Sequence, residues 1–519
     1  MGRAYVRYRL GCLAVCTLSA CSSADDVNGA MQADAESVAP SSAAKAGASA
    51  DAPAAGTATA EVIPTELGVS SPPAEGKGPF STSAVALEAR GYIESELFVE
   101  GPASKYMLSG SETMDGKWTL VENGKAGFKT RILVRRPKDA SKFNGTVIVE
   151  WLNVSGGVDS DPGYMYNFDL ILREGYAWVG VSAQAQGVEG GGFSLTAISG
   201  GPTVPPLKMF DAARYGTLKH PGDAYSYDIF SAVAKILREP REIDALEGLK
   251  PKHLIAYGES QSAGRLVSYV NGVHPLAKVY DAFFIHSRGT SGAGFEDSPL
   301  GGLPIGIGGT AATIRDDIEE KVFQFQTETD VTGMLAFLPA RQPDSDKLRT
   351  WEVAGTAHAD KHLVDFNADN PLGQLDCDSA NAGPQWRIIR AALHSLHVWI
   401  SDGKAPPTGE PLQADASGQS VRDEHGNALG GIRSPDVDVP VATLSGEPPA
   451  GGMGFDFICS IFGSTVPFTP EKLAMLYPTH EEYVQKVKAS VDAMLKAGFV
   501  LEPEASSFIE DAEKAAVPK

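Results

Sequence analysis

The sequence predicts an α/β fold class: a doubly wound, mostly parallel sheet with helices on both faces and long loop insertions. Three observations lead there. Short β-rich runs alternate with helix-period stretches from about residue 91 to residue 401. Some runs, Val147-Ile148-Val149 among them, are apolar without a break, as a strand buried on both faces requires. The stretches 223–237 and 385–401 set apolar residues three and four positions apart, giving each a face to lay on a sheet.

The chain opens with Arg3, Arg7 and Arg9 ahead of an apolar stretch at 10–20. That stretch is too short to span a bilayer, and residues 1–20 read as a signal peptide. Its end, Leu18-Ser19-Ala20-Cys21, resembles the bacterial lipobox. The resemblance implies a lipid on Cys21 and anchoring to a membrane. Ser22 after it, in place of an aspartate, implies the outer one. Residues 21–82 are dominated by Ala, Ser, Gly, Asp and Pro. They cannot repay their ordering entropy and read as a linker with a reach of about 40 Å. Loss of the signal removes three arginines and no acid, moving the formal charge from −21 to −24. An acidic chain of this kind is not expected to bind nucleic acid phosphates.

A single catalytic domain is expected over 83–505, followed by a flexible tail at 506–519. Hydrophobic residues make up 43% of the chain, enough to build a large core and to exclude a wholly disordered protein. Strands are expected at 128–135, 146–150, 176–182, 253–257, 279–286, 322–326 and 350–353. Helices are expected at 164–174, closed by Gly175, and at 223–237, 262–271 and 385–401. Loops at 183–222, 287–320 and 403–465 are rich in Gly and Pro and read as insertions. Phe193, Leu195, Pro205, Pro206 and Phe210 are candidates for a lid over an apolar pocket. The run Gly187-Val188-Glu189-Gly190-Gly191-Gly192 lacks the Lys-Ser/Thr of a phosphate loop and reads as a mobile loop beside the site.

The sharpest motif is Gly258-Glu259-Ser260-Gln261-Ser262. It follows the apolar run Leu254-Ile255-Ala256-Tyr257 and opens a helix. Strand, tight turn, serine and helix together are the context that makes such a motif a nucleophile elbow. Ser260 is the candidate nucleophile, and Ser262, one step into the helix, is its rival. Ser262 also stands where a glycine is usual, a departure that keeps the position small. The helix N-terminus beside Ser260 offers backbone N–H groups to developing negative charge.

With this elbow the chain resembles the α/β-hydrolase superfamily, and more narrowly the bacterial α/β-hydrolase-domain proteins with a G-E-S-Q-S elbow. The stretches His220-Pro221-Gly222-Asp223-Ala224-Tyr225-Ser226-Tyr227-Asp228 and Trp351-Glu352-Val353-Ala354-Gly355-Thr356-Ala357-His358 carry the same resemblance, over roughly residues 90–500. It implies an α/β-hydrolase fold and a serine hydrolase whose triad runs Ser, acid, His along the chain.

Ten histidines compete for the role of base. His358, in a loop after the strand at 350–353, lies where the resemblance puts it. His362 is the runner-up, whereas His394 and His397 read as packing or surface residues of the helix at 385–401. His253 and His286 lie before the acid in chain order. For the acid, Asp330 has the expected offset beyond the strand at 322–326, and Glu328 is close enough to do the same work. The oxyanion hole is expected to use the backbone of Gln261 and, from the loop after the strand at 146–150, Asn153. No His-Gly-Gly-Gly run is present there.

Cys12 and Cys16 leave with the signal, and Cys21 takes lipid, so Cys377 and Cys459 remain and are expected to pair in an exported protein. No His/Cys cluster has zinc spacing, and Asp369, Asp376 and Asp378 lack a calcium-loop pattern, so no metal or cofactor is expected. The function expected is hydrolysis of a small-molecule carboxylic ester through an acyl-enzyme. The alternatives are a peptidase, thioesterase or acyltransferase on the same triad, or a surface binding lipoprotein on a degenerate hydrolase scaffold. The sequence does not specify an oligomeric state.

Overall fold

The computed structural model describes residues 63–192, 194, 204–297, 309–366, 379–448 and 459–517. Among them, nine strands form one sheet. They are β1 (Gly68–Ser70), β2 (Tyr92–Leu108), β3 (Leu120–Pro137), β4 (Thr146–Trp151), β5 (Ala177–Val181), β6 (His253–Glu259), β7 (Ala282–His286), β8 (Lys321–Thr327) and β9 (Leu348–Val353). Their order across the sheet is β1-β2-β3-β5-β4-β6-β7-β8-β9. The first three strands are antiparallel to their neighbours, and from β5 to β9 every pairing is parallel. The expected α/β-hydrolase architecture is the one observed.

The main helices are α1 (Pro162–Glu174), α2 (Ser226–Arg238), α3 (Gln261–Ser268), α4 (Gln385–Asp402), α5 (His480–Ala497) and α6 (Glu502–Lys514). Gly175 ends α1 in the left-handed conformation, φ 77°, and a Cβ there would lie 1.9 Å from the carbonyl oxygen of Lys142, so only glycine fits. Each strand of the parallel half feeds two cores. Ile148, Ile255, Phe284 and Phe323 face α1 and α4. Val147, Val149, Leu254, Phe283 and Ile285 face the opposite layer, with Ile229, Phe230, Val233 and Leu237 of α2 and Leu266 of α3. The unbroken apolar runs follow from burial of both sheet faces.

Four expectations change. Ordered structure begins inside the segment 21–82 read as linker: β1 pairs with Phe98–Glu100 of β2, and Arg131 and Arg135 donate to the carbonyls of Phe80 and Ser81. Buried arginines with backbone acceptors there tie the segment down. The long hairpin β2–β3 was foreseen only at 128–135, because β2 carries Glu94, Glu96 and Glu100 and does not read as apolar. Glu96 is nonetheless buried, against Arg131 and Arg214. Of the tail at 506–519, residues 506–514 are helical, since α6 buries Phe508 and Ala512 and sets buried Glu504 against Arg173 and Arg390. The run after Gln184 forms a short helix, Ala185–Glu189, with Val188 buried beside Phe98, Leu207 and Tyr215. Gly187 is required there because a Cβ would lie 2.0 Å from Asp159 Oδ1.

Of the proposed lid, Phe210 packs edge-on against Phe80, while Phe193 and Leu195 lie outside the described residues. The signal segment, Cys21, Asp369, Asp376 and Cys377 with its proposed bridge to Cys459, and Asp378, also lie outside them. Among the described residues no helix is long and apolar enough to cross a membrane. Truncating the buried Phe508 of α6 to alanine is expected to cost about 3–5 kcal/mol in urea unfolding; a freely flexible tail would leave the midpoint unchanged.

Candidate active site

The site lies at the carboxyl edge of the parallel strands, where open α/β sheets bind their ligands. β6 ends at Glu259, and Ser260 turns the chain into α3 with φ 56° and ψ −113°. A non-glycine residue in this region is strained by about 1–3 kcal/mol and persists only when its surroundings hold it. Two contacts do so. The Ser260 N–H donates to the His286 carbonyl at 2.9 Å, and the Gly264 N–H donates to the Ser260 carbonyl at 3.1 Å. A Cβ on Gly258 would lie 2.6 Å from the Ser262 carbonyl oxygen, which is why the elbow needs glycine there.

Ser260 Oγ is 2.7 Å from His358 Nε2, and His358 Nδ1 is 2.7 Å from Asp330 Oδ1. The three side chains come from three elements: the β6–α3 turn, the loop after β9, and the short helix Glu328–Val331 after β8. Asp330 is fixed by a capping box, its Oδ2 accepting from the Thr327 N–H at 2.7 Å. Thr329 fixes the histidine loop, its Oγ1 accepting from the His358 N–H at 3.2 Å and donating to the Gly446 carbonyl at 2.6 Å.

The alternatives go elsewhere. Glu328 accepts from the N–H groups of Gly355 and Gly446 at 2.5 and 3.1 Å and pairs with Arg422 at 3.3 Å. It fastens the insertion around 422–446 to the loop that carries His358. His362 is stacked between Tyr166 and Trp386, and burial, then Arg390, lower its pKa to about 4. Ser262 is fully buried in α3. His394 and His397 pair with Glu174 and Thr146, away from the triad.

Gln261 is the first residue of α3, where a helix has no internal acceptor for its N–H groups. Asn153 differs from expectation. Its backbone N–H donates to the Ser160 carbonyl at 2.9 Å, and its side-chain amide donates to the carbonyl and Oε2 of Glu259, both at 3.1 Å. It is therefore not an open oxyanion donor, because a non-local bridge to Ser160 and a neighbouring carboxylate use its N–H groups.

Glu259 is the residue that sequence reasoning left without a role, although it sits inside the elbow motif. Its Oε1 is 3.6 Å from His358 Nε2. Its position directly before the nucleophile was the only signal. Burial raises its carboxyl to about 7 against the opposing pull of His358. Burial disfavours a charged His358, yet Asp330 and then Glu259 outweigh it and raise the imidazole above its ordinary value. Burial lowers neighbouring His286 to about 3, so it is neutral, with Nδ1 3.0 Å from the Tyr257 hydroxyl. Among the described residues no group of three or more His, Cys, Asp and Glu side chains is arranged to hold a metal ion.

A family model described as alpha/beta hydrolase domain matches residues 67–510. No curated protein sequence matches the chain. Among solved structures, it is similar to a glucuronoyl esterase from Solibacter usitatus at 10% identity, covering 57% of this chain and 83% of that one, with a TM-score of 0.27. It is similar to an esterase from Rhizomucor miehei at 11% identity, covering 59% and 85%, TM-score 0.30. A Xanthomonas campestris a/b serine hydrolase without lid matches at 12% identity, covering 52% and 89%, TM-score 0.25.

The geometry separates the two acids by experiment. Asp330→Asn is expected to slow modification of the serine by a fluorophosphonate about 10³–10⁴-fold, through loss of the imidazole's orienting partner. Glu328→Gln is expected to keep that rate within about tenfold and instead to lower stability by about 1–3 kcal/mol in urea unfolding.

Proposed function

We propose that this chain, which belongs to the alpha/beta hydrolase domain family, is an exported serine hydrolase that cleaves a small-molecule carboxylic ester. The observation that carries the reading is the continuous path Ser260–His358–Asp330, two contacts of 2.7 Å each, beneath a strained elbow. Ser260 Oγ attacks the acyl carbon while His358 Nε2 takes its proton. Asp330 holds the imidazole in the tautomer with Nδ1 protonated and stabilises the imidazolium. The backbone N–H of Gln261, at the positive end of α3, faces the developing oxyanion. As the carbon–oxygen bond to the alcohol breaks, Nε2 returns the proton to the leaving oxygen. Water then repeats the sequence on the acyl-enzyme and frees the acid. An ester asks less of this machinery than an amide does, since an alkoxide is a better leaving group than an amide anion.

Fluorophosphonate treatment of the signal-free domain is expected to give one adduct, on Ser260. Ser260→Ala is expected to lose the adduct and roughly 10³–10⁶-fold of ester turnover. A variant that keeps near-normal turnover would sink the reading.

The address at the N-terminus belongs to the same proposal. Residues 1–20 are removed on export, Cys21 takes lipid and holds the enzyme to the outer membrane, and Cys377 pairs with Cys459. The intact mass of the exported protein is expected to include a lipid that Cys21→Ser abolishes, and to rise by one disulfide's hydrogens on reduction. An unlipidated protein, or no gain on reduction, would exclude the corresponding part.

A further inference from the structure

The triad leaves one buried carboxyl group unused, and it faces the catalytic histidine. We infer that Glu259 is a second positioning residue for His358, holding the imidazolium from its Nε2 side while the proton passes between Ser260, the histidine and the leaving group. The inference rests on the triad reading above. Asp330 lies 2.7 Å from Nδ1 and Glu259 Oε1 lies 3.6 Å from Nε2, so the ring sits between two carboxylates on opposite nitrogens. At 3.6 Å the second contact is longer than a hydrogen bond and acts through charge. It therefore leaves Nε2 free to bond Ser260 Oγ.

The carboxylate cannot swing away. Asn153 Nδ2 holds both Glu259 Oε2 and the Glu259 carbonyl. Asn153 is held in turn by its bridge to Ser160 and by the Ser155 N–H, which donates to its Oδ1 at 2.7 Å. Glu259 is buried, so its interaction with His358 is little screened.

Among the described residues, the surroundings add no competing cation. His358 and Asp330 are the charged groups that act on Glu259. Tyr166 of α1 and Tyr257 of β6 also face it, and burial holds both phenols neutral, well above their ordinary range. His286 of β7, paired with Glu259 in the sheet register, is neutral as well. The pairing partner of a charged Glu259 is therefore the imidazolium, which forms while the proton is in transit and also, below the histidine's own titration, in the resting enzyme. Glu259 neither gives nor takes that proton. The serine O–H breaks as the Nε2–H bond forms, and the same proton leaves with the alcohol.

The test is the pH dependence of the rate constant for fluorophosphonate modification, which needs no knowledge of the ester and does not depend on the fraction folded. His358 must be neutral to accept the serine proton, so the rate falls as pH drops through its titration. Glu259 raises that titration. Glu259→Gln is expected to move the acid limb to lower pH by about one pH unit and to cut the plateau about tenfold. Glu259→Asp, which keeps the charge, is expected to keep the limb near its wild-type position. A Glu259→Gln limb that coincides with wild type, with Ser260 still modified, would overturn the positioning role and leave the triad standing. Failure of the wild type to react at Ser260 at any pH would overturn both.

Discussion

The carboxylate of Asp330 is the constraint on which the site depends. One oxygen accepts from the Thr327 N–H at the end of β8, and the other meets His358 Nδ1. The first bond belongs to the backbone of a strand paired on both sides, so the second inherits the rigidity of the sheet. A carboxylate on a freely turning loop would hold the imidazole only for part of the time. Here a capping box, a device that ordinarily just starts a helix, fixes the acid in the one orientation that serves the histidine. Thr329, in the same turn, grips the histidine's own backbone. A single short helix thus holds both the ring and the chain that carries it.

The parallel sheet makes this economy available. Parallel pairing puts Glu259 beside His286, and Thr327 beside Val353, with all four at the same edge. Ser260, Asp330 and His358 each follow within about five residues of the end of β6, β8 and β9, so they converge whatever the length of the loops beyond them. The insertion around 422–446 then closes over the histidine loop, and Glu328 is what fastens it, through two backbone N–H groups and Arg422. Two acidic residues two positions apart have opposite duties because successive residues of one helical turn point to different sides.

What could be read from the sequence follows from which forces are local. Val147-Ile148-Val149 and the run before Gly258 declare themselves as strands because both of their faces are buried. The elbow declares itself because steric demand forces a small residue at 258, and that demand is felt within four residues. Ser260, Asp330 and His358, which the structure brings within hydrogen-bond distance of one another, could be named together by resemblance, whereas the choice between Asp330 and Glu328 could not. Either side chain fits the offset, and only the capping box and the bonds to Gly446 and Arg422 divide them. Strand β2 was missed because its charges are neutralised by arginines far along the chain, Glu96 by Arg131 and Arg214. α6 was missed for a related reason, since Glu504 reads as a surface residue until Arg173 and Arg390 are brought to it. That the N–H groups of Asn153 are occupied was not legible, because its partner Ser160 lies across a turn that no local pattern announces.

The partners of Asn153 bear on how the site is charged. Had Asn153 been an open donor, the oxyanion would have been met partly by a side-chain amide. Its amide is instead spent on Glu259, so in the proposed reaction stabilisation of negative charge would fall to backbone dipoles at the start of α3, and the side chain would serve the opposite charge, the cation. The division is physically sensible. Backbone N–H groups are fixed by the helix and cost no reorganisation as charge develops, whereas a carboxylate is stable beside the imidazole only if something prevents it from turning to solvent. The neighbouring groups reinforce the division. His286 is held neutral by burial and Tyr257 keeps its proton, so neither competes with the imidazolium for the two carboxylates. The potential at Nε2 is thereby set by Asp330 and Glu259, and its attraction is strongest for the ring that carries its second proton.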